Sequence, residues 1–316
     1  MEEEIIKEAT IMNISVDDKL QVLFDSWEMK DFSYFFISRS ENYANKLARM
    51  TLTEIQEEAP DWNTEGAVYG LNHMLDLIHN GIKIDYDFYT EEEMQQDATK
   101  RNTKLFYFPA EGGENKPTIY LCAGGGYTAV CNMMESFPVA SKLNELGYNA
   151  IVISYRTAKP ALEVDIDLAK SNALEDIAAA MKYVKDNSQL FQVADSDYAI
   201  CGFSAGAFIS AEWGIEEKGY GKYHLNKPIS VLLCYGYLND VSELTEQYPA
   251  TFYCYCEDDS VIEIGKITEM EQKENSLGIM TEKIVGKMGG HGFGLGLGTE
   301  TDGWVEMVIG FIEKQR

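Results

Sequence analysis

The apolar positions of this chain change rhythm near residue 80. Before that point they form helix-like patches such as Leu47 to Ile55 and Ala67 to Ile78, and Gly81 reads as a helix stop. Beyond it, short apolar runs alternate with longer helical stretches. Lys83 to Tyr89 alternates apolar and polar residues, as a half-exposed strand does, and Lys104 to Phe108 is its expected hairpin partner across a long connection. Further strands are expected at Thr118 to Cys122, Asn149 to Ser154, Tyr198 to Cys201, Ser230 to Tyr235, Thr251 to Cys256 and Thr281 to Val285. Helices are expected at Met133 to Leu146, at Leu174 to Lys185, from about Ser204 onward, at Glu263 to Asn275 and at Trp304 to Glu313.

Continuous apolar strands alternating with helices imply a mostly parallel sheet, here eight-stranded, with helices on both faces. The expected organisation is a helical N-terminal segment over residues 1–80, a candidate cap, followed by an α/β catalytic domain over 81–316. On such sheets ligands bind at the carboxyl ends of the strands.

With 316 residues, 45% of them hydrophobic, the chain can bury a large core. Asp and Glu outnumber Lys and Arg by 52 to 26, for a net charge of −26. That field repels phosphate backbones and anionic membranes, so neither nucleic acid nor membrane is an expected partner. The acidic start Met1-Glu2-Glu3-Glu4 does not read as a secretory signal, and no apolar stretch reads as a membrane span. The six cysteines (122, 131, 201, 234, 254, 256) are scattered, several of them within strand-like runs, and read as buried free thiols. A cytoplasmic protein is the expectation.

The chemistry concentrates at strand ends. Gly202-Phe203-Ser204-Ala205-Gly206 fits G-x-S-x-G between a strand and a helix. Such a turn strains the serine backbone, exposes its hydroxyl over a helix N-terminus and needs small neighbours. Cys122-Ala123-Gly124-Gly125-Gly126-Tyr127 follows another strand, and its glycines let backbone N–H groups approach a developing oxyanion. The expected donors are Gly125 or Gly126 together with Ala205. No Gly-Lys-Ser/Thr follows, which argues against a phosphate loop.

Of four histidines, His73 and His79 lie in the N-terminal segment and His224 in a Gly/Lys/Tyr loop. His291, in Gly289-Gly290-His291-Gly292-Phe293-Gly294 after the last strand, is the candidate general base. The acid that orients it should follow the next-to-last strand, at Asp259 by preference or at Asp258. The order serine, acid, histidine is that of an α/β hydrolase.

From about Asp85 onward the chain resembles the carbohydrate-esterase-like and acetyl-esterase-like α/β hydrolases. The resemblance rests on Gly124 to Tyr127, Ser154-Tyr155-Arg156, the Gly202 to Gly206 elbow and His291 to Gly294. It implies a triad of Ser204, Asp259 and His291, with oxyanion donors at Gly125 and Gly126. The chain differs from many relatives in carrying Ala123 before the glycines and Val261-Ile262 after the acid.

Together these features predict a serine hydrolase cleaving a small ester through an acyl-enzyme, with no cofactor and no metal. A peptidase or an acyltransferase could use the same triad, and a silent binding scaffold is a further alternative. Tyr127, Tyr155, Phe203 and Phe293 are expected near the site, lining it or packing the core, and 157–170 and 219–227 are lids or plain connections. Oligomeric state is not legible.

Overall fold

The computed structural model describes residues 10–158, 165–193 and 197–316. The elements run α1 (Gln21–Phe24), α2 (Glu41–Ala48), α3 (Leu52–Glu58), α4 (Thr64–His79), β1 (Asp85–Tyr86), α5 (Glu91–Gln96), β2 (Lys104–Phe108), β3 (Thr118–Cys122), α6 (Ser136–Glu145), β4 (Ala150–Ser154), α7 (Ile166–Asp186) and α8 (Ser188–Phe191). They continue with β5 (Tyr198–Phe203), α9 (Ala205–Trp213), β6 (Ser230–Cys234), β7 (Ala250–Cys256), α10 (Ile264–Ser276), β8 (Thr281–Gly286) and α11 (Trp304–Glu313).

The eight strands form one sheet in the order β1-β2-β4-β3-β5-β6-β7-β8. β2 runs antiparallel to both neighbours, and every pair from β4 to β8 is parallel. Strands β2 to β6 are buried along their whole length, which is why they read as unbroken apolar runs. Helices α6 and α11 pack together against the sheet, as do α7 and α9. The fold is that of the α/β hydrolases.

The differences from the sequence reading have local causes. Leu47 to Ile55 is not one helix but parts of α2 and α3, because Thr51 caps α3 in a reciprocal capping box with Glu54. Only Asp85 and Tyr86 of the first expected strand pair with β2, and the long connection between them holds α5. α6 starts at Ser136 rather than Met133. α7 starts eight residues earlier than expected, at Ile166, where the Asp165 side chain accepts from Leu168 N. Its first turn exposes Ile166 and Leu168, so an amphipathic pattern does not mark it.

The N-terminal segment shares one hydrophobic cluster with the sheet domain. α4 lies along α6, and a Cβ on Gly70 would fall 2.8 Å from Pro138 N. Phe36 O accepts from Met133 N at 2.8 Å, Phe35 O accepts from Asn132 Nδ2 at 3.0 Å, and Ser38 bridges Val130. These contacts tie the segment to the chain that follows the glycine loop.

Behind β7, the fully buried Glu274 accepts from the hydroxyls of Thr251 (2.5 Å) and Tyr253. Burial pushes its carboxyl up to about 7, against the pull of those two donors. The folded state thus keeps a proton that the unfolded chain gives up, and stability from this group falls as pH rises from 4.5 to about 7. In urea unfolding at pH 5 and pH 8, the wild type should lose about 2 kcal/mol more than Glu274→Gln. Equal losses would contradict this.

Candidate active site

Ser204 sits between β5 and α9 with φ 49° and ψ −120°, a left-handed conformation that costs a non-glycine residue about 1–3 kcal/mol. The surroundings fix it. Ser204 N donates to Cys234 O at 3.0 Å, and its carbonyl accepts from Ala207 N at 2.8 Å and Phe208 N at 3.2 Å. The flanking glycines are required by space. A Cβ on Gly206 would lie 2.0 Å from Cys122 O, and one on Gly202 would lie 2.2 Å from Gly206 O. β3, β5 and α9 therefore meet backbone to backbone at the elbow.

His291 stands on the loop between β8 and α11. Its Nε2 lies 2.8 Å from Ser204 Oγ and its Nδ1 lies 2.7 Å from Asp259 Oδ2. The Asp259 side chain is fully buried, and its Oδ1 accepts from Val261 N at 2.8 Å and Ile262 N at 3.1 Å. Asp258 points elsewhere. It accepts from Gly290 N (2.9 Å) and Gly289 N (3.2 Å), and these bonds hold its carboxyl below the usual carboxylate range. The two adjacent aspartates thus divide the work: one faces the imidazole and the other grips its loop.

The other histidines lie elsewhere. His73 Nε2 is 2.9 Å from Asn144 Oδ1, His79 pairs with Glu28 at 3.1 Å, and His224 occupies a left-handed turn.

The loop after β3 folds tightly against the elbow. Gly125 takes φ 135°, and its carbonyl accepts from Thr128 N and Ala129 N, both at 3.1 Å. A Cβ on Gly125 would fall 2.2 Å from Ala129 O, so only glycine fits. Gly124 N donates to Glu135 Oε2 at 2.5 Å, and Gly124 O accepts from Cys131 N at 2.9 Å. Gly126 is exposed at the tip.

Of the aromatics expected here, Tyr155, Phe203 and Phe293 are buried in the core. Tyr127 is half-buried beside the site, with Tyr237 near its hydroxyl. Of the suspected lid at 157–170, residues 159–164 lie outside the described residues. The stretch 219–227 is a packed connection, with Tyr223 stacked on Trp213 and Leu225 N bonded to Tyr220 O.

Four residues of the site escape sequence reasoning. Asp61, from the N-terminal segment, accepts from His291 N at 3.3 Å, and the Trp62 indole packs against Gly292. Glu135 and Tyr235 lie behind the site, bonded to each other at 2.9 Å. No local motif marks any of the four, because each reaches the site through tertiary packing.

Among the described residues no group of three or more His, Cys, Asp or Glu is arranged to hold a metal ion. Among the same residues no helix is long and apolar enough to cross a membrane. All six cysteines are free and buried.

Comparison with known proteins agrees with this architecture. Residues 106–233 match the family model BD-FAE. The chain is 29% identical over 105 residues to endo-1,4-beta-xylanase B of Butyrivibrio fibrisolvens, covering 33% of this chain and 16% of that protein. It is 26% identical over 88 residues to an acetylxylan esterase of Xylanibacter ruminicola, covering 28% and 17% respectively. The match thus spans about a sixth of these relatives' length. Among solved structures it is similar to a sugar hydrolase from Lactococcus lactis, with 19% identity and a TM-score of 0.57 over 67% of this chain and 94% of that one. It is also similar to an acetyl ester-xyloside bifunctional hydrolase from Caldicellulosiruptor lactoaceticus, with 21% identity and a TM-score of 0.53 over 67% and 88%. The chain thus has the α/β-hydrolase fold, and its central segment is similar to the BD-FAE family model and to an acetylxylan esterase.

Proposed function

We propose that the protein is a serine esterase that cleaves a small acyl ester through an acyl-enzyme. The observation that carries this reading is the line Ser204–His291–Asp259, with contacts of 2.8 and 2.7 Å, at a strained elbow facing a glycine loop.

In this reading Ser204 Oγ attacks the ester carbonyl and its proton passes to His291 Nε2. Asp259 accepts a hydrogen bond from Nδ1–H, which fixes the tautomer and stabilises the imidazolium. The tetrahedral oxyanion forms against Ala205 N–H and the N–H of Gly125 or Gly126, each donor worth about 3 kcal/mol. Gly124 is excluded as a donor because its N–H is held by Glu135. The alcohol leaves with the proton from His291. Water, activated by His291, then releases the acid and restores Ser204.

The named activity of the acetylxylan esterase relative supports an acyl group on a carbohydrate alcohol as the substrate class. The half-buried Tyr127 of the glycine loop, and Phe208, one turn after Ser204 and packed edge-to-face with the half-buried Tyr237, offer surfaces for such a substrate. Asp61 and Trp62 at the edge of the site support reading the N-terminal segment as a wall or cap. The buried free thiols favour a reducing, cytoplasmic location.

A fluorophosphonate probe should label Ser204, as read by peptide mass spectrometry, and Ser204→Ala should abolish both labelling and p-nitrophenyl acetate turnover. Undiminished turnover in pure Ser204→Ala protein would overturn the proposal. The neighbouring aspartates should separate sharply. Asp259→Asn should lower kcat by about 10³–10⁴-fold, whereas Asp258→Asn, which only loosens the loop, should cost less than about tenfold. Equal losses would mean that the acid is misassigned.

A further inference from the structure

Glu135 is a buried carboxyl that the triad mechanism leaves without a role. It stands at the N-terminal end of α6, only 4% exposed, with a helix dipole favouring negative charge there. Both its partners are donors. Gly124 N–H, from the oxyanion loop, reaches Oε2 at 2.5 Å, and Tyr235 O–H, from the end of β6, reaches Oε1 at 2.9 Å. Tyr235 is itself fully buried and takes a left-handed φ of 40°. Its ring packs edgewise on the His291 imidazole, with centroids 4.9 Å apart at 63°, and on Phe293 at 4.8 Å and 71°. Phe293 and His291, which its ring touches, both belong to the loop that carries the base. One carboxyl thus joins the oxyanion loop, the β6 terminus and the base loop.

We infer that Glu135, acting through Gly124 and Tyr235, is a positioning residue that sets the oxyanion loop and the His291 ring in one shared geometry. The inference rests on the esterase reading above. Its physical basis is the cost of the arrangement. Burying a carboxyl is expensive, and burial does push Glu135 above its ordinary range, opposed by its two donors and by the nearby His291. Apolar packing of similar volume would stabilise the fold as well or better. What a carboxylate adds is direction. It offers two acceptor oxygens in one rigid plane, each aimed at a donor on a different catalytic loop. Gly124 directly precedes the two candidate oxyanion donors, so a shift at its N–H moves both. Tyr235 bears on the imidazole ring itself, whereas Asp259 and Ser204 hold its ring nitrogens.

The test uses two near-isosteric variants of the full chain. Glu135→Gln keeps the shape but turns an N–H₂ toward one of the two donors. Tyr235→Phe keeps the ring on His291 but removes the hydroxyl that ties it to Glu135. With p-nitrophenyl acetate, each should lower kcat by about 10- to 100-fold and leave KM within about threefold, because misplacement by a fraction of an ångström acts on the transition state. Phenylboronic acid, which forms a tetrahedral adduct on the serine, should bind more weakly by a similar factor. The double variant should lose little more than the worse single one, since both cut the same link. Folded variants that keep kcat and boronate affinity within twofold would reduce Glu135 to a structural residue and overturn the inference. So would a loss confined to KM. If Glu135→Gln fails to fold, Tyr235→Phe decides alone, because it deletes a single oxygen. Failure of the esterase reading looks different: the wild type would then turn over no faster than Ser204→Ala.

Discussion

Three backbones converge at the elbow more closely than any side chain permits. The carbonyl of Cys122 at the end of β3 lies where a Cβ on Gly206 would project, and Gly206 O crowds Gly202 in the same way. This contact forces Ser204 into its left-handed conformation, because a relaxed turn would carry α9 away from the sheet. It also places the glycine loop, which leaves β3 at Cys122, directly beside Ser204: a Cβ on Gly124 would lie 2.7 Å from Ser204 Cβ. Strained serine, helix N-terminus and candidate oxyanion donors therefore follow from one steric constraint. The sheet order supports it, since β3 and β5 are hydrogen-bonded neighbours with Cys122 opposite Gly202.

Around that fixed point, carboxylates hold the movable parts. Asp259 faces the imidazole, Asp258 grips the N–H groups of Gly289 and Gly290, Asp61 takes that of His291, and Glu135 holds Gly124. Four acids thus secure two glycine-rich loops. Such loops pay a high entropic cost for order, and charge-assisted hydrogen bonds to successive backbone donors offset it. The acidic surplus of the chain, which from composition argues only against anionic partners, supplies these clamps. Asp61 also makes the N-terminal segment part of the arrangement, alongside the bonds from Phe35, Phe36 and Ser38 to residues 130–133.

Local requirements are legible in the sequence, and tertiary ones are not. The elbow and the glycine loop could be read because tight turns leave glycines at fixed offsets. The parallel strands could be read because burial on both faces makes them continuously apolar. Thr51 and Glu54 carried a capping-box signal that splits the helix expected over 47–55, although apolar spacing alone bridges it. Asp258 and Asp259 could not be separated by spacing, because the choice rests on a turn in which Asp259 Oδ1 binds two backbone N–H groups. Glu135, Tyr235 and Asp61 left no trace, being isolated residues brought in by α6, β6 and the segment before α4.

The central claim is that the elbow and the glycine loop form one preorganised receptor for a tetrahedral oxyanion on Ser204. A crystal structure of the covalent phosphonate adduct tests it most directly. The account predicts a phosphonyl oxygen about 2.7–3.1 Å from Ala205 N and from Gly125 N or Gly126 N, with His291 Nε2 still beside the Ser204 oxygen. An adduct whose oxygen points to solvent, or one formed on another residue, would contradict it.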